Sequence, residues 1–290
     1  MRWLSWIPIA MLIAVVVAGC GDGDASAGGK PTVVATTTQV ADFARNVAGD
    51  RVNVVQILAP NADPHEYELR PQDVAAVADA DVVLRSGGDV DAWLEEAIDA
   101  SGTHARVITL SDGIKLHGDD PHWWQDPRNA EIAAREIGAA LHVDATPYVQ
   151  RLERLDHAVA RCIDKVPPSQ RKLVTTHDAL GYYAARYGID VIGAVIPSLS
   201  TAGQPSAGDT ARLIETIRKT GVKAIFAESS VNPKVEAAIA RATGAKVGKA
   251  LWADTLGPPG SDGATYIRSI EANTQAIVDG FTGGAVSCRF

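Results

Sequence analysis

The sequence lacks a long apolar run, an excess of basic residues and two motifs that mark common enzymes. The apolar run from Ile7 to Val17 is shorter than the roughly 20 residues that a membrane-spanning helix needs. A formal net charge of −8 makes the chain a poor candidate for binding nucleic acid. The chain contains neither a Walker-type GxxxxGK[ST] nor an HExxH, which argues against an ATPase and against the HExxH zinc hydrolases.

The first 20 residues are typical of a secretory signal peptide. In MRWLSWIPIAMLIAVVVAGC, one arginine precedes a short apolar stretch, and small residues come just before Cys20. The last four of these residues resemble a bacterial lipobox, in which cleavage leaves a cysteine that carries lipid. We therefore predict a signal peptide over residues 1–19, lipidation of Cys20, a flexible tether over residues 20–30 and an extracytoplasmic protein anchored to the cell membrane. An ordinary signal peptide, with Cys20 removed or incidental, is the alternative.

Two cysteines remain after the predicted signal peptide, Cys162 and Cys288. In an oxidising compartment an even number of cysteines favours a disulfide. We therefore predict a Cys162–Cys288 disulfide that ties the last residues of the chain to a helix in its middle. Two unpaired buried thiols are the alternative.

Short β-branched runs alternate with amphipathic stretches along the chain, a pattern typical of parallel sheets covered by helices. Four predicted strands lie in the first half and four in the second: Thr32–Thr37, Asn53–Leu58, Asp81–Gly87, Arg106–Leu110, Lys172–Thr176, Ile189–Ile196, Lys223–Glu228 and Lys246–Leu251. The predicted fold class is therefore α/β. We expect two similar lobes, each a mainly four-stranded parallel sheet flanked by helices.

A stretch without strand character separates the two groups of strands. Its second part has apolar residues at three- and four-residue spacing, with Pro147 near its start and Pro167 after its end. We predict an N-terminal lobe over residues 31–143, a long connecting helix over 144–167 and a C-terminal lobe over 168–290. Because a helical connector restricts hinge motion, we expect the two lobes to move little.

Three histidines follow predicted strands, where ligands bind in parallel α/β sheets. His65 and His122 follow strands of the first lobe, each within an Asp-Pro-His tripeptide, and His177 follows a strand of the second. Asp254, just past the last predicted strand, offers a fourth group. Three imidazoles and a carboxylate suit zinc, and also manganese or iron. A solvent-exposed loop histidine, or an aspartate that caps a helical turn, is the alternative for each residue taken alone.

The order of sequence blocks resembles the metal-binding solute-binding lipoproteins of bacterial ABC importers, the zinc and manganese cluster called TroA-like. The resemblance covers nearly the whole mature chain. The matching blocks are DPHEYEL, DAWLEEAI, DPHWWQDPRNA, THDALGYYAARYGI, PSAGDTARLIETIRKTGVKAIFAES, NPKVEAAIARATGAKV and ADTLGP. The resemblance implies metal ligands at His65, His122, His177 and Asp254. It also implies a binding protein rather than an enzyme, a monomer that delivers its metal to a permease and an ATPase on separate chains.

The choice of metal depends on details of these blocks. Manganese binders of the family often have Glu where His177 stands, which favours Zn(II) here, with Mn(II) or iron as alternatives. The segment before the second ligand, KLHGDDPH, lacks the long His-rich loop of many zinc-specific members. Since protons compete for imidazole, we expect metal affinity to fall below about pH 6.5.

Two functions of other classes stay open at this point. A zinc hydrolase would need an open coordination position and a general base, for which Glu66 and Glu228 are the candidates. A surface adhesin is the other alternative, since related lipoproteins have been viewed as adhesins.

Overall fold

The structure, a computed structural model, describes residues 29–290. The predicted signal peptide, Cys20 and nearly all of the predicted tether lie outside the described residues. Within the described range, no helix is both long enough and apolar enough to cross a membrane.

The first lobe is built around a parallel sheet with the strand order β2-β1-β3-β4. Its strands are β1 Thr32–Ala35, β2 Asn53–Gln56, β3 Val82–Arg85 and β4 Arg106–Thr109, and its helices are α1 Thr38–Ala48, α2 Pro71–Ala78, α3 Leu94–Ser101 and α4 Pro127–Leu141. The central strands β1 and β3 are Val-rich and buried on both faces, as expected for a parallel sheet covered by helices. The predicted parallel sheet of the first lobe is confirmed.

The second lobe also has four strands, but they form two pairs. Its strands are β5 Lys172–Thr175, β6 Asp190–Ala194, β7 Ala224–Ile225 and β8 Lys246–Val247, and its helices are α6 Gly181–Tyr187, α7 Ala207–Thr220, α8 Lys234–Thr243 and α9 Tyr266–Thr282. The pairs β5-β6 and β7-β8 are both parallel. A parallel bridge between Thr175 and Phe226 joins them. The two-lobe α/β class is therefore confirmed, whereas β7 and β8 are much shorter than predicted.

A helix of 18 residues, α5 Thr146–Ile163, lies between the lobes in the chain. At 1.5 Å per residue it spans about 27 Å. The apolar stripe predicted from its sequence is buried, with Leu152 and Val159 at 0% exposure. Near its end, Cys162 is joined by a disulfide to Cys288, and the two Cα atoms are 5.3 Å apart. The disulfide thus attaches the C-terminal segment to the connecting helix.

The largest hydrophobic core does not stop at the boundary between the lobes. The ring of Phe43, on α1, lies 4.8 Å from the ring of Tyr266, on α9, and within about 6.3 Å of the rings of Trp123 and Tyr148. The backbone N–H of Tyr266 also donates to Asp42 Oδ2 at 3.1 Å. Helix α9 follows the strands of the second lobe, yet it packs on α1 and α5. This core, which contains residues of both lobes, joins them.

Candidate metal centre

The four predicted ligands lie together where the two lobes face each other. His65 and His122 come from loops after β2 and β4, His177 comes directly after β5, and Asp254 follows β8. One ligand atom from each lies within 4.8 Å of all the others. All four side chains are at most 2% exposed. Because the carboxyl ends of parallel strands meet at one edge of a sheet, separate loops from both lobes converge on this point.

The distances between the candidate ligand atoms match those of a small coordination sphere. The Nε2 atom of His122 lies 3.4 Å from Nε2 of His65 and 3.3 Å from Nε2 of His177. The oxygens of Asp254 lie 3.2–3.5 Å from the three nitrogens. A tetrahedron with metal–ligand bonds of about 2.0–2.1 Å has edges of about 3.3–3.4 Å. The cluster therefore has dimensions that suit a small divalent transition metal ion, although its widest separation, up to 4.8 Å, exceeds the edge of a regular tetrahedron.

The carboxylate of Asp254 is buried without a hydrogen bond. Neither of its oxygens has a hydrogen-bond partner among the described residues, and the residue is 1% exposed. Burial alone would raise the pKa of Asp254, but the positive charges that His177 and His122 can carry hold it well below its usual value. A buried anion without hydrogen bonds is costly unless a cation compensates it. The centre of the cluster is therefore suited to a positive charge, carried either by a protonated His177 or by a metal ion in place of that proton.

Two carboxylates orient the imidazoles from behind. Asp120 Oδ1 lies 2.8 Å from Nδ1 of His122, and Glu228 Oε1 lies 2.6 Å from Nδ1 of His177. An ionised carboxylate only accepts hydrogen bonds, so each imidazole donates through Nδ1–H. In the neutral imidazole this leaves the Nε2 lone pair facing the cluster, the tautomer that a metal requires.

The repeated Asp-Pro-His tripeptide forms the same turn twice. Oδ1 of Asp63 accepts from the backbone N–H of His65 at 3.0 Å, and Oδ1 of Asp120 accepts from that of His122 at 3.0 Å. The copies then differ. Whereas Asp120 also holds its own histidine ring, the other oxygen of Asp63 accepts from the hydroxyl of Thr201, in the second lobe, at 2.7 Å. Two copies of the same turn therefore present two of the candidate ligands, and the copy at Asp63 also bridges the lobes.

The charges around the cluster favour a proton on His177 when no metal is bound. Burial would lower the pKa of His177, but the charge of Asp254 and the hydrogen bond to Glu228 raise it to about 11. For His65, burial likewise acts to lower the pKa and Asp254 outweighs it, so that the pKa is raised. A metal entering the centre must therefore displace a proton.

The other four histidines, His104, His117, His142 and His157, are exposed and do not belong to this cluster. His117 stacks on the ring of Tyr182, with ring centroids 4.1 Å apart. His142 ends α4 in the left-handed region, with φ of 54°. In the part of the chain that the structure describes, the cluster of His65, His122, His177 and Asp254 is the one group that could hold a metal ion.

Sequence reasoning missed the roles of Asp120 and Glu228. Asp120 forms a turn beside Pro121, as an aspartate next to a proline often does, but its second bond, to the His122 ring, depends on a rotamer that a sequence does not reveal. Glu228 was considered a general base for a hydrolase. Its position at the carboxyl end of the predicted strand Lys223–Glu228 was an available signal, since that edge of the sheet also carries His177.

Comparison with known proteins identifies the family. The family model described as "ZnuA: Zinc-uptake complex component A periplasmic" matches residues 33–280. The manganese-binding lipoprotein MntA of Halalkalibacterium halodurans is 29% identical over 294 residues, covering 94% of this chain and 97% of its own. The zinc-binding protein TroA of Treponema pallidum is 30% identical, covering 89% of this chain and 91% of its own.

Solved structures agree with this assignment. The structure of TroA superposes with a TM-score of 0.78 at 28% identity, over 87% of this chain and 99% of that one. The laminin-binding protein Lmb of Streptococcus agalactiae, described as bifunctional with adhesin and metal-transporting activity, superposes with a TM-score of 0.77 at 29% identity, over 87% of this chain and all of that one. The family match spans both lobes and includes all four residues of the cluster. The chain belongs to the ZnuA family, whose members among these relatives are named for manganese and for zinc binding.

Proposed function

We propose that this chain is the extracytoplasmic metal-binding component of an ABC importer and that its cargo is Zn(II). In this proposal His65, His122, His177 and Asp254 hold the ion between the lobes, and a lipid on Cys20 keeps the monomeric protein at the membrane. The permease and the ATPase are separate chains. The observation that carries the proposal is the buried carboxylate of Asp254, which faces three imidazole nitrogens at 3.2–3.5 Å and has no hydrogen bond among the described residues.

The geometry favours holding a metal over doing chemistry on it. Four protein ligands can fill a tetrahedral zinc site, whereas a catalytic zinc keeps a position for water. Glu228, the better placed of the two candidate bases, accepts from both the backbone N–H and Nδ1 of His177. Glu66 is exposed and lines a cavity of about 260 Å³ together with residues of the second lobe. These contacts support a binding protein rather than a hydrolase.

Manganese is the second candidate cargo, and one observation favours it. Both oxygens of Asp254 face the imidazoles, Oδ1 towards His122 and Oδ2 towards His65 and His177. If both oxygens bind, the coordination number rises above four, and oxygen ligands suit manganese. Three imidazoles still favour zinc, which binds more tightly than manganese to most nitrogen sites.

The test is the metal content of the purified protein, followed by competitive titration of zinc against manganese. We expect one zinc per chain and a lower dissociation constant for zinc than for manganese. His177→Ala should weaken zinc binding by at least about tenfold, because it removes a ligand. His157→Ala, an exposed histidine on α5, is the matched control and should leave binding unchanged. Tighter binding of manganese would assign the protein the other cargo, and no stoichiometric binding of either metal would refute the proposal.

A further inference from the structure

The residue before Asp254 is hydrogen-bonded to the opposite lobe. The backbone carbonyl of Ala253 accepts from the side-chain amide of Gln125 at 2.7 Å and from the indole N–H of Trp124 at 3.0 Å. The donors come two and three residues after His122, in the first lobe, and lie 129 and 128 residues before Ala253 in the chain. Both are at most 2% exposed, so water does not compete for these bonds.

The residues after Asp254 are attached to the first lobe as well. The N–H of Leu256 donates to the hydroxyl of Thr38 at 2.8 Å. The N–H of Asn61 approaches both the carbonyl of Leu256 and the hydroxyl of Thr255 at 3.0 Å. Asp254 is therefore held on both sides by groups that precede it by about 130 to 220 residues.

His177 is positioned differently. Its ring and its backbone N–H are held by Glu228, and the N–H of the next residue, Asp178, donates to the carbonyl of Ser198 at 3.0 Å. These partners all belong to the second lobe. His177 and Asp254 both come from the C-terminal half of the chain. However, the hydrogen bonds of residues 253–256, called the Asp254 loop below, attach Asp254 to the lobe that carries His65 and His122.

A glutamine at position 125 destabilises the folded protein unless its side chain has a role in holding the Asp254 loop. The residue is 1% exposed, and its Oε1 atom has no partner among the described residues. Leaving a buried amide oxygen without a hydrogen bond destabilises the folded protein. An apolar side chain of similar size, such as Met, would avoid that cost. What Gln125 supplies and Met cannot is a donor to the peptide carbonyl next to Asp254.

We propose that Gln125 is a positioning residue for Asp254, assisted on the other side of the loop by Thr38. The two residues fix the loop so that the Asp254 carboxylate faces the imidazole nitrogens before the metal arrives, which reduces the ordering needed on binding. The inference rests on the proposed function, since it concerns how one ligand of that site is held. Residues of the first lobe thus fix the position of Asp254, a candidate ligand from the second half of the chain.

The test is a double-mutant cycle in the full-length protein, with zinc affinity measured by competition with a chelator. Gln125→Met keeps the volume and removes the donor, and we expect it to weaken zinc binding about 10- to 100-fold, as for other residues that orient ligands. In an Asp254→Ala background, which retains three imidazoles, the same change should have no effect on affinity. Gln56→Met is the matched control, because Gln56 also donates to a backbone carbonyl, that of Leu58, but within the first lobe.

A second variant and a spectrum separate positioning from general damage to the fold. Thr38→Val removes the bond to Leu256 and should show the same dependence on Asp254, so the cycle can be completed even if one variant does not fold. With Co(II) in place of zinc, Gln125→Met should change the visible spectrum towards that of Asp254→Ala, while Gln56→Met should not.

The outcomes distinguish the inference from the proposed function. Suppose that Gln125→Met lowers zinc affinity equally in the wild-type and Asp254→Ala backgrounds, or in neither. The positioning role would then be refuted, although the wild-type protein still binds zinc. Failure of the wild-type protein itself to bind zinc would instead refute the proposed function.

Discussion

The imidazole of His177 lies between two carboxylates with different roles. Glu228 accepts from its Nδ1–H at 2.6 Å, and Asp254 faces its Nε2 at 3.2 Å. Glu228 sets the tautomer and the orientation of the ring, and in the proposed site Asp254 would bind the metal ion together with the imidazole. Since both are buried, neither is screened effectively by solvent.

The first prediction concerns the orienting carboxylate. Glu228→Gln keeps the size and an acceptor oxygen but removes the negative charge that makes the imidazole a stronger ligand. We expect zinc affinity to fall about 10- to 100-fold, measured by competition with a chelator. Glu68→Gln, at an exposed position of the first lobe, is the control and should bind zinc as the wild type does. Equal affinity of the Glu228 variant and the wild type would show that the contact with His177 does not tune the site.

The second prediction concerns protons. Burial opposes a charge on His177, but Asp254 and Glu228 raise its pKa in the metal-free protein to about 11. A raised pKa means that the protonated form prevails below it, so zinc must displace this proton at neutral pH. Zinc affinity should therefore keep rising with pH above neutrality. For an unperturbed imidazole, with a pKa of about 6.5, the rise would end near that pH.

Calorimetric titrations in buffers with different ionisation enthalpies measure these protons. We expect at least one proton released per zinc near neutral pH, and one fewer in His177→Ala. An observed binding enthalpy that does not depend on the buffer would contradict this account of the site.

For individual residues, the sequence predicted which side chains converge but not the hydrogen bonds that orient them. His65, His122, His177 and Asp254 could be selected because strand ends share one edge of a sheet and because their motifs match a family. The bonds of Asp120, Glu228 and Gln125 depend on rotamers and on how the lobes meet, and neither follows from local sequence patterns.

Among the elements, the connecting helix α5 is tied to the end of the chain by the Cys162–Cys288 disulfide. The end of α5 leads to the start of β5, whereas His177 follows the end of that strand. A strand of four residues spans about 13 Å, so the disulfide and the metal centre lie towards opposite edges of the sheet. The disulfide should therefore support the fold without contributing to the metal site.

The third prediction follows from this arrangement. A Cys162→Ala/Cys288→Ala double variant should lose about 2–4 kcal/mol of unfolding free energy, because the disulfide closes a long loop in the unfolded chain. Denaturant unfolding measures the loss, and chelator competition should give an unchanged zinc affinity. The wild type treated with a reductant should behave like the variant. If the double variant is fully folded but binds zinc much more weakly than the wild type, the disulfide contributes to the metal site.

The strands of the second lobe show where sequence prediction of elements is limited. The pattern Lys246–Leu251 predicts six residues of strand, but only Lys246–Val247 pair as β8. The next residue, Gly248, lies against the ring of Phe226, where an added Cβ would come within 2.6 Å of the ring. A glycine inside a strand pattern marks such a close approach, and here the ladder ends beside it.

For the whole molecule, the core around Phe43 and the bonds of the Asp254 loop both cross between the lobes. Helix α9 packs against α1 and α5, and the N–H of its first residue, Tyr266, donates to Asp42 in the first lobe. In hinge-bending binding proteins, the domains rotate apart around a few residues that link them. Here the link is a continuous core, so release of the metal should involve local shifts of the ligand loops.

The fourth prediction is therefore a small change in shape. The radius of gyration measured by solution X-ray scattering should be the same, within error, for the zinc-loaded and metal-free proteins. As a control in the same samples, zinc should raise the unfolding temperature of the wild type, because it binds the folded state, and not that of Asp254→Ala/His177→Ala. A clear expansion on removal of zinc would contradict the shared-core argument.

The division into two α/β lobes was predictable because periodicity and chain order determine it. The shared core was not predictable in this way, because α9 follows the strands of the second lobe in the chain and packs not only on β7 of that lobe but also on α5 and on α1 of the first lobe. Chain order likewise suggested that Asp254 belongs to the second lobe, whereas its neighbours Ala253 and Leu256 are bonded to Gln125 and Thr38.

The central claim is that one zinc ion lies among three imidazoles and the carboxylate of Asp254. Diffraction from crystals of the zinc-loaded protein, recorded on both sides of the zinc absorption edge, tests it most directly. The account predicts one strong anomalous peak between the lobes, about 2.0–2.2 Å from Nε2 of His65, His122 and His177 and from an oxygen of Asp254. A zinc peak elsewhere, or a peak at this position that one of these four side chains does not reach, would contradict it.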